Sequence, residues 1–185
     1  PDTVYYGDTS KKATVKVSGE GGTAGAITYQ SSNPTYLTVD ASTGTLTPVA
    51  VGGASEITAI MARTETVKEA SITKTITVQK SLTATAVAEA DKIYNGANQK
   101  GINGNHVILT GTIEAIDAGT YTATATPEEN YTWEDGTTEA KTITWKINPK
   151  TIAVIWGDVT NFVYNGKEQA PTVSAESGVD GENLN

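Results

Sequence analysis

The sequence predicts an all-β chain of tandem sandwich modules, and three observations predict it. Apolar and polar residues alternate with period two in short stretches separated by turn residues, the pattern of half-buried strands. Threonine, which is β-branched and tolerates water, supplies about one residue in six, alongside 18 glycines in 185 residues. A short motif then returns at a fixed distance: Tyr94-Asn95-Gly96 recurs as Tyr164-Asn165-Gly166, and Gln99 as Gln169, each at an offset of 70.

The first segment runs to Gln79. Its expected strands are Ala13–Val17, Ala26–Tyr29, Tyr36–Val39, Gly44–Thr47, Ile57–Met61 and Ile72–Val78. Turn signals stand between them at Gly21-Gly22, Ser32-Asn33-Pro34, Ser42-Thr43-Gly44 and Gly52-Gly53. In the last strand Ile72, Ile76 and Val78 share one face with Lys74, so that face is expected to be incompletely buried. Arg63 to Glu69 reads as a lengthened hairpin loop.

The second segment runs from Lys80 to Pro149. The strand Thr142–Ile147 puts Ile143, Trp145 and Ile147 on one face and Thr142, Thr144 and Lys146 on the other. Asp117-Ala118-Gly119-Thr120-Tyr121-Thr122-Ala123 fits the corner of an Ig-type sandwich, where a Tyr hydroxyl bonds back to the preceding backbone two residues before a Cys. Here Tyr121 takes the Tyr position and Ala123 the Cys position. The third segment, 150–185, repeats the first half of the second: Thr151-Ile152-Ala153-Val154 matches Ser81-Leu82-Thr83-Ala84. It is expected to supply about three strands of an incomplete module, too few to be stable alone. Pro1 is not a native start, so the chain is expected to be a piece of a longer protein.

Residues 1–79 resemble bacterial Ig-like modules of the BIG2 type. The resemblance rests on Gly7-Asp8-Thr9, Tyr29-Gln30-Ser31-Ser32-Asn33-Pro34, Leu37-Thr38-Val39-Asp40, Gly44-Thr45-Leu46-Thr47-Pro48 and Val51-Gly52. Residues 80–149 resemble the mainly-β, glycine-rich repeats of bacterial surface proteins (MBG-like, of the Y-N-G type), and 150–185 the first half of another. The resemblance implies tandem Ig-like β-sandwich modules in an adhesin-like, extracellular protein of the bacterial cell surface. It implies as partners a host or matrix protein or glycan, together with neighbouring modules of the same chain.

Composition excludes several chemistries. The chain has no cysteine, so disulfides and thiol nucleophiles are out. One histidine leaves a His-based zinc site or His-relay hydrolase without partners. A net charge of −8 argues against nucleic acid as partner. No apolar run approaches the ~20 residues of a membrane helix, so no membrane insertion is expected.

Candidate chemistry is sparse. Gly19-Glu20-Gly21-Gly22-Thr23-Ala24 fits G-x-G-x-x-A, but a strand follows it where a phosphate-binding helix is required, so no cofactor is expected. His106 lies in a turn entering a strand. Glu128, Glu129, Glu134, Asp135 and Glu139 surround Trp133 without the spacing of a calcium loop, so no metal is expected. No cleft-forming length of chain surrounds these carboxylates, which speaks against glycoside hydrolysis. Lys74 and Lys146 are the lysines to consider for an isopeptide bond, which requires burial, and Lys146 lies on the Thr face. Among the aromatic residues Trp145 is expected in the core. Trp133, in a polar loop, is expected to be exposed and with Tyr131 forms the candidate ligand contact; Trp156 and the pair Tyr5-Tyr6 are further flat faces.

No nucleophile, base and orienting group can be named together, so the chain is not expected to be an enzyme. The expected function is a structural and adhesive array acting as stalk or spacer. The alternative is a carbohydrate-binding accessory region of a secreted glycan-degrading enzyme.

Overall fold

The computed structural model describes residues 1–19, 21–157, 162–176 and 178–179. The described residues form strands and loops with no helix, so the chain is all-β. Packing divides it into two compact units. One comprises Pro1–Ala86, Gly104–Ile108 and Ala125–Lys141; the other comprises Val87–Asn103, Leu109–Thr124 and the described residues of Thr142–Asn185. These lines cut across the second sequence segment rather than following residues 79 and 149.

The first unit opens with β1 (Thr3–Tyr5), β2 (Ile27–Ser31), β3 (Leu37–Val39), β4 (Leu46–Pro48), β5 (Ala54–Met61) and β6 (Ala70–Gln79). A sheet of order β1-β6-β5-β2 faces the β3-β4 pair. Val4, Ile57, Ile76 and Val78 from the first sheet meet Leu37 and Leu46 from the second in one buried cluster. That is a sandwich core, and each such side chain contributes about 1.5–3 kcal/mol by leaving water. On β6, Ile72 is exposed and Lys74 pairs with Asp2 at 2.5 Å, so the isoleucine face is open where the lysine stands, as its position in the strand implies.

Two turn motifs have visible work. In Ser31-Ser32-Asn33, Ser55 Oγ is buried and accepts the Asn33 N–H at 2.9 Å. It lies 2.7 Å from Ser31 Oγ, which donates to Leu37 O, and Ser32 Oγ accepts the Glu56 N–H. Hydroxyls thus satisfy the corner where β2 leaves the sheet. In Asp40-Ala41-Ser42-Thr43-Gly44, Asp40 Oδ1 accepts the N–H and hydroxyl of both Ser42 and Thr43 at 2.7–3.0 Å. Gly44, at φ 70, closes the turn.

Those bonds favour the ionised carboxyl, so the fold is expected to lose some stability in acid. The Thr43 N–H and hydroxyl, then those of Ser42, hold the Asp40 carboxyl well below its ordinary value. Asp8 is lowered by Ser10, Asp135 by Thr137, Glu89 by Lys92 and Asn103, and Asp2 by Lys74. A folded-state pKa below the unfolded one gives stability that is complete above the unfolded value and lost as pH falls toward the folded one. Thermal melting is therefore expected to be flat from neutrality to about pH 5 and to decline below about pH 4. The decline is shallower in Asp40→Asn, and melts at stepped pH check it.

The expected strand Ala13–Val17 does not form. Lys12 makes one bridge to Thr45, Ala13 N donates to Gly44 O and Leu46 N to Lys11 O, and the ladder ends there. Pairing is used up at residues 11–13, and 14–18 run on unpaired along a cavity of about 670 Å³. The Arg63–Glu69 loop is a hairpin connection between β5 and β6, turned by Thr64 N–H···O Val67 at 2.8 Å.

The chain continues through β7 (Thr85–Ala88), β8 (Lys92–Ile93), β9 (Gln99–Lys100), β10 (Ile102–Asn105), β11 (Val107–Gly111), β12 (Glu114–Ala115), β13 (Gly119–Pro127) and β14 (Lys141–Asn148). β11-β13-β14-β8 form one sheet, and β10-β7 and β12-β9 form pairs. Ile102, Ala123, Trp145 and Ile147 make the buried core of the second unit, with Tyr94, Leu109, Tyr121 and Ile143 packed against it. Alternation on β14 thus buries the face the sequence designates. Tyr121 Oη donates to Asp117 O at 2.7 Å, closing the expected corner, and Ala123 is 2% exposed. The Tyr121 ring lies 4.8 Å from that of Trp145, whose Nε1 donates to Thr112 O at 2.7 Å.

The Y-N-G motif is a turn with a side-chain clasp. Asn95 Oδ1 accepts the Ala97 N–H, Gly96 takes φ 75, and Gln99 Nε2 donates to Ile93 O at 3.1 Å. Seventy residues on, Asn165 Oδ1 accepts the Lys167 N–H, Gly166 takes φ 73, and Gln169 Nε2 donates to Val163 O at 2.8 Å. The last strands, β15 (Val154–Trp156) and β16 (Val173–Ala175), pair antiparallel. They lie 70 residues beyond the region of the β7-β10 pair, to within one or two positions. Two strands, rather than about three, are seen among the described residues of 150–185. Val154, Ile155, Trp156 and Val173 are all exposed.

Candidate functional site

Tyr131 anchors the site with the best claim to ligand contact. It follows β13 in a turn where its N–H donates to Glu128 O, and a bridge pairs it with Ser81. Ser81 N donates to Asn130 O, Thr132 N to Ser81 O at 2.8 Å, and Ala84 N to Thr132 O. These bonds hold the 80–84 segment rigidly beside the turn. His106 stacks on the Tyr131 ring at 3.8 Å and 7°, and Tyr6 meets Tyr131 edge-on at 5.7 Å and 88°. The result is an aromatic cluster within the first unit.

His106 is the one non-glycine residue with positive φ (54) among those described. Its carbonyl accepts the Glu128 N–H at 3.1 Å, and its Nδ1 lies 3.9 Å from Glu128 Oε2. The cluster borders a cleft of about 450 Å³ lined by Tyr5, Tyr6, Asp8, Ser81, Thr83 and His106, with Gly7, Leu82 and Tyr131 completing the wall. Ser81 and Thr83 hydroxyls lie 3.0 Å apart. Asp8 Oδ1 accepts the Ser10 N–H and hydroxyl, and Lys11 Nζ stands 3.8 Å from Oδ2.

Trp133 departs from expectation. It is 5% exposed, with Nε1 donating to Glu139 O at 2.8 Å and Lys141 Nζ 4.5 Å above its ring. Its polar neighbours made it look solvent-facing, but Asp135 serves the local turn through Thr137, and the loop folds back over the indole. The ring has no open face for stacking. Trp145 is core, as expected, and Trp156 is 65% exposed.

The other candidates resolve plainly. Lys74 is exposed and ion-paired with Asp2, and Lys146 is exposed, so neither has the burial an isopeptide bond requires. Gly21 and Gly22 take positive φ ahead of a strand, and Glu20 lies outside the described residues. Among the described residues no group of three or more His, Asp or Glu side chains is gathered to hold a metal. Among them too, no helix is long and apolar enough to cross a membrane. The sequence named Tyr131 and the Tyr5-Tyr6 pair; what it did not show is that His106 and Tyr6 meet Tyr131.

No protein-family model matches the chain, and no curated protein matches it. Solved structures similar to it include human protocadherin-24 EC1-2, at 8% identity and TM-score 0.31, covering 81% of this chain and 95% of that one. Drosophila N-cadherin EC1-4 matches at 9% identity and TM-score 0.32, over 80% of this chain and 47% of that one, so the chain spans about half its length. The human desmocollin-1 ectodomain matches at 9% identity and TM-score 0.24, over 66% and 34%. Likenesses this distant carry no argument about ligand or role.

Proposed function

We propose that the chain is a structural and adhesive module array of a bacterial cell-surface protein, an extracellular stalk or spacer without enzymatic activity. Its modules are a BIG2-type domain over 1–79, a glycine-rich Y-N-G repeat over 80–149 and the start of a second repeat over 150–185. The observation that carries the reading is the pairing of early with late strands. β1 runs parallel to β6, with Thr3 opposite Thr77 and Tyr5 opposite Gln79. β8 runs parallel to β14, with Lys92 opposite Ile147. Tension applied through the ends of 1–79 pulls β1 and β6 in opposite directions along their shared ladder. All its hydrogen bonds are then loaded at once instead of opening one by one.

The clamp has a removable bond. Tyr6 N donates to Gln79 O at 2.8 Å. Tyr6→Pro deletes that donor, whereas Tyr6→Ala keeps it. Single-molecule pulling on the chain is expected to show a lower rupture force for 1–79 in Tyr6→Pro than in Tyr6→Ala. Equal forces would remove the mechanical basis of the stalk reading.

A further inference from the structure

We propose that the groove beside His106 and Tyr131 binds a neutral oligosaccharide. The inference stands apart from the stalk reading, because a load-bearing module needs no such groove. It is an open surface groove of about 450 Å³, suited to a chain that lies along it rather than to an enclosed small molecule.

The chemistry of the wall selects the ligand. Tyr5, Tyr6, His106 and Tyr131 bring aromatic surface, which suits the C–H faces of a pyranose ring. Among the described residues the hydroxyls of Tyr5, Tyr6 and Tyr131 have no hydrogen-bond partner, and all three residues line the groove. Ser81 and Thr83 add hydroxyls, and Asp8 Oδ2 has only a distant lysine. Ser81 and Thr83 already bond each other, and His106 and Tyr131 each cover one face of the other, so the wall offers the remaining ring surface, the tyrosine hydroxyls and Asp8 Oδ2, a mixture that matches a polyhydroxylated ring better than an apolar peptide.

Charge narrows the class. Asp8 lines the groove with Lys11 3.8 Å from it, Glu128 stands beside His106, and the chain carries −8 overall, so the net charge around the groove is negative. Uronic and sialic acids are disfavoured there, and neutral hexose, pentose or N-acetylhexosamine units are favoured. The backbone points to the same place. In Gly104-Asn105-His106 the left-handed conformation falls on the histidine rather than on the glycine or asparagine that adopt it at less cost. It aims the imidazole at Tyr131.

The test is titration of the isotope-labelled chain with neutral hexasaccharides of α-linked glucose and of β-linked glucose, xylose, mannose and N-acetylglucosamine. Hexagalacturonate and sialyllactose serve as anionic probes, with amide shifts read by NMR. Saturable shifts confined to residues 5–8, 81–83, 106 and 131 with at least one neutral probe are expected. The Tyr6→Phe/Tyr131→Phe double variant, which keeps both rings, is expected to weaken binding about tenfold, and Asp8→Asn by a similar factor. The proposal is overturned by silence with all neutral probes, response to anionic probes alone, shifts mapping elsewhere, or unchanged affinity in the double variant.

Discussion

Gly101→Ala is expected to abolish the cooperative melt of the second unit, or to lower its stability by about 3 kcal/mol or more, beyond the usual cost of one added methyl. A Cβ at Gly101 would fall inside the Trp145 indole, closest to Cδ2 and Cε3. The backbone cannot step aside, because Gly101 N donates to Ile113 O at 2.9 Å and Gly101 O accepts from Glu89 N at 2.8 Å. The indole is fixed by its bond to Thr112 O. Thermal unfolding followed by tryptophan fluorescence checks the loss. In a Trp145→Phe background the same substitution is expected to cost much less, and that coupling, read as a double-mutant cycle, assigns the effect to the contact.

Leu37→Ala is expected to destabilise the first unit by about 2–5 kcal/mol. Leu37 is fully buried and packs with Leu46, Val4 and Ile76 between the two sheets. Both sheets are held by backbone ladders and cannot collapse into the void. Ile72→Ala, at a site 64% exposed on the same module, is expected to change stability by about 0.5 kcal/mol or less. Urea titration of the two variants separates a core position from a surface one of similar size.

Much of this architecture is legible in the sequence because it is local. Alternation on β14 names Trp145 and Ile147 as core, and the Asp117–Tyr121 spacing names the corner whose hydrogen bond the structure contains. The repeated Y-N-G-x-x-Q spacing reappears as the same turn and the same glutamine clasp in both copies. What the sequence hides is non-local. Nothing near Val4 says that its strand pairs in parallel with β6. Ala13–Val17 has strand periodicity, but whether a ladder extends depends on what the facing segment offers, and pairing stops at residue 13.

The candidate site follows the same division. Tyr131 and the Tyr5-Tyr6 pair were visible as aromatic residues, whereas their convergence with His106 joins segments far apart in the chain. Trp133 looked exposed because acidic and hydroxyl residues flank it. In the fold those neighbours make the turn that covers it, and a backbone carbonyl takes its N–H.

The most direct test of load-bearing is the dependence of rupture force on pulling direction. The chain has no cysteine, so any introduced pair of thiols gives unique handles. Handles at Pro1→Cys and Lys80→Cys shear β1 against β6, whereas handles at Pro1→Cys and Thr75→Cys peel them apart bond by bond, since Thr3 lies opposite Thr77. The stalk account predicts a rupture force several-fold higher in shear than in peeling. Equal forces in the two directions would contradict it.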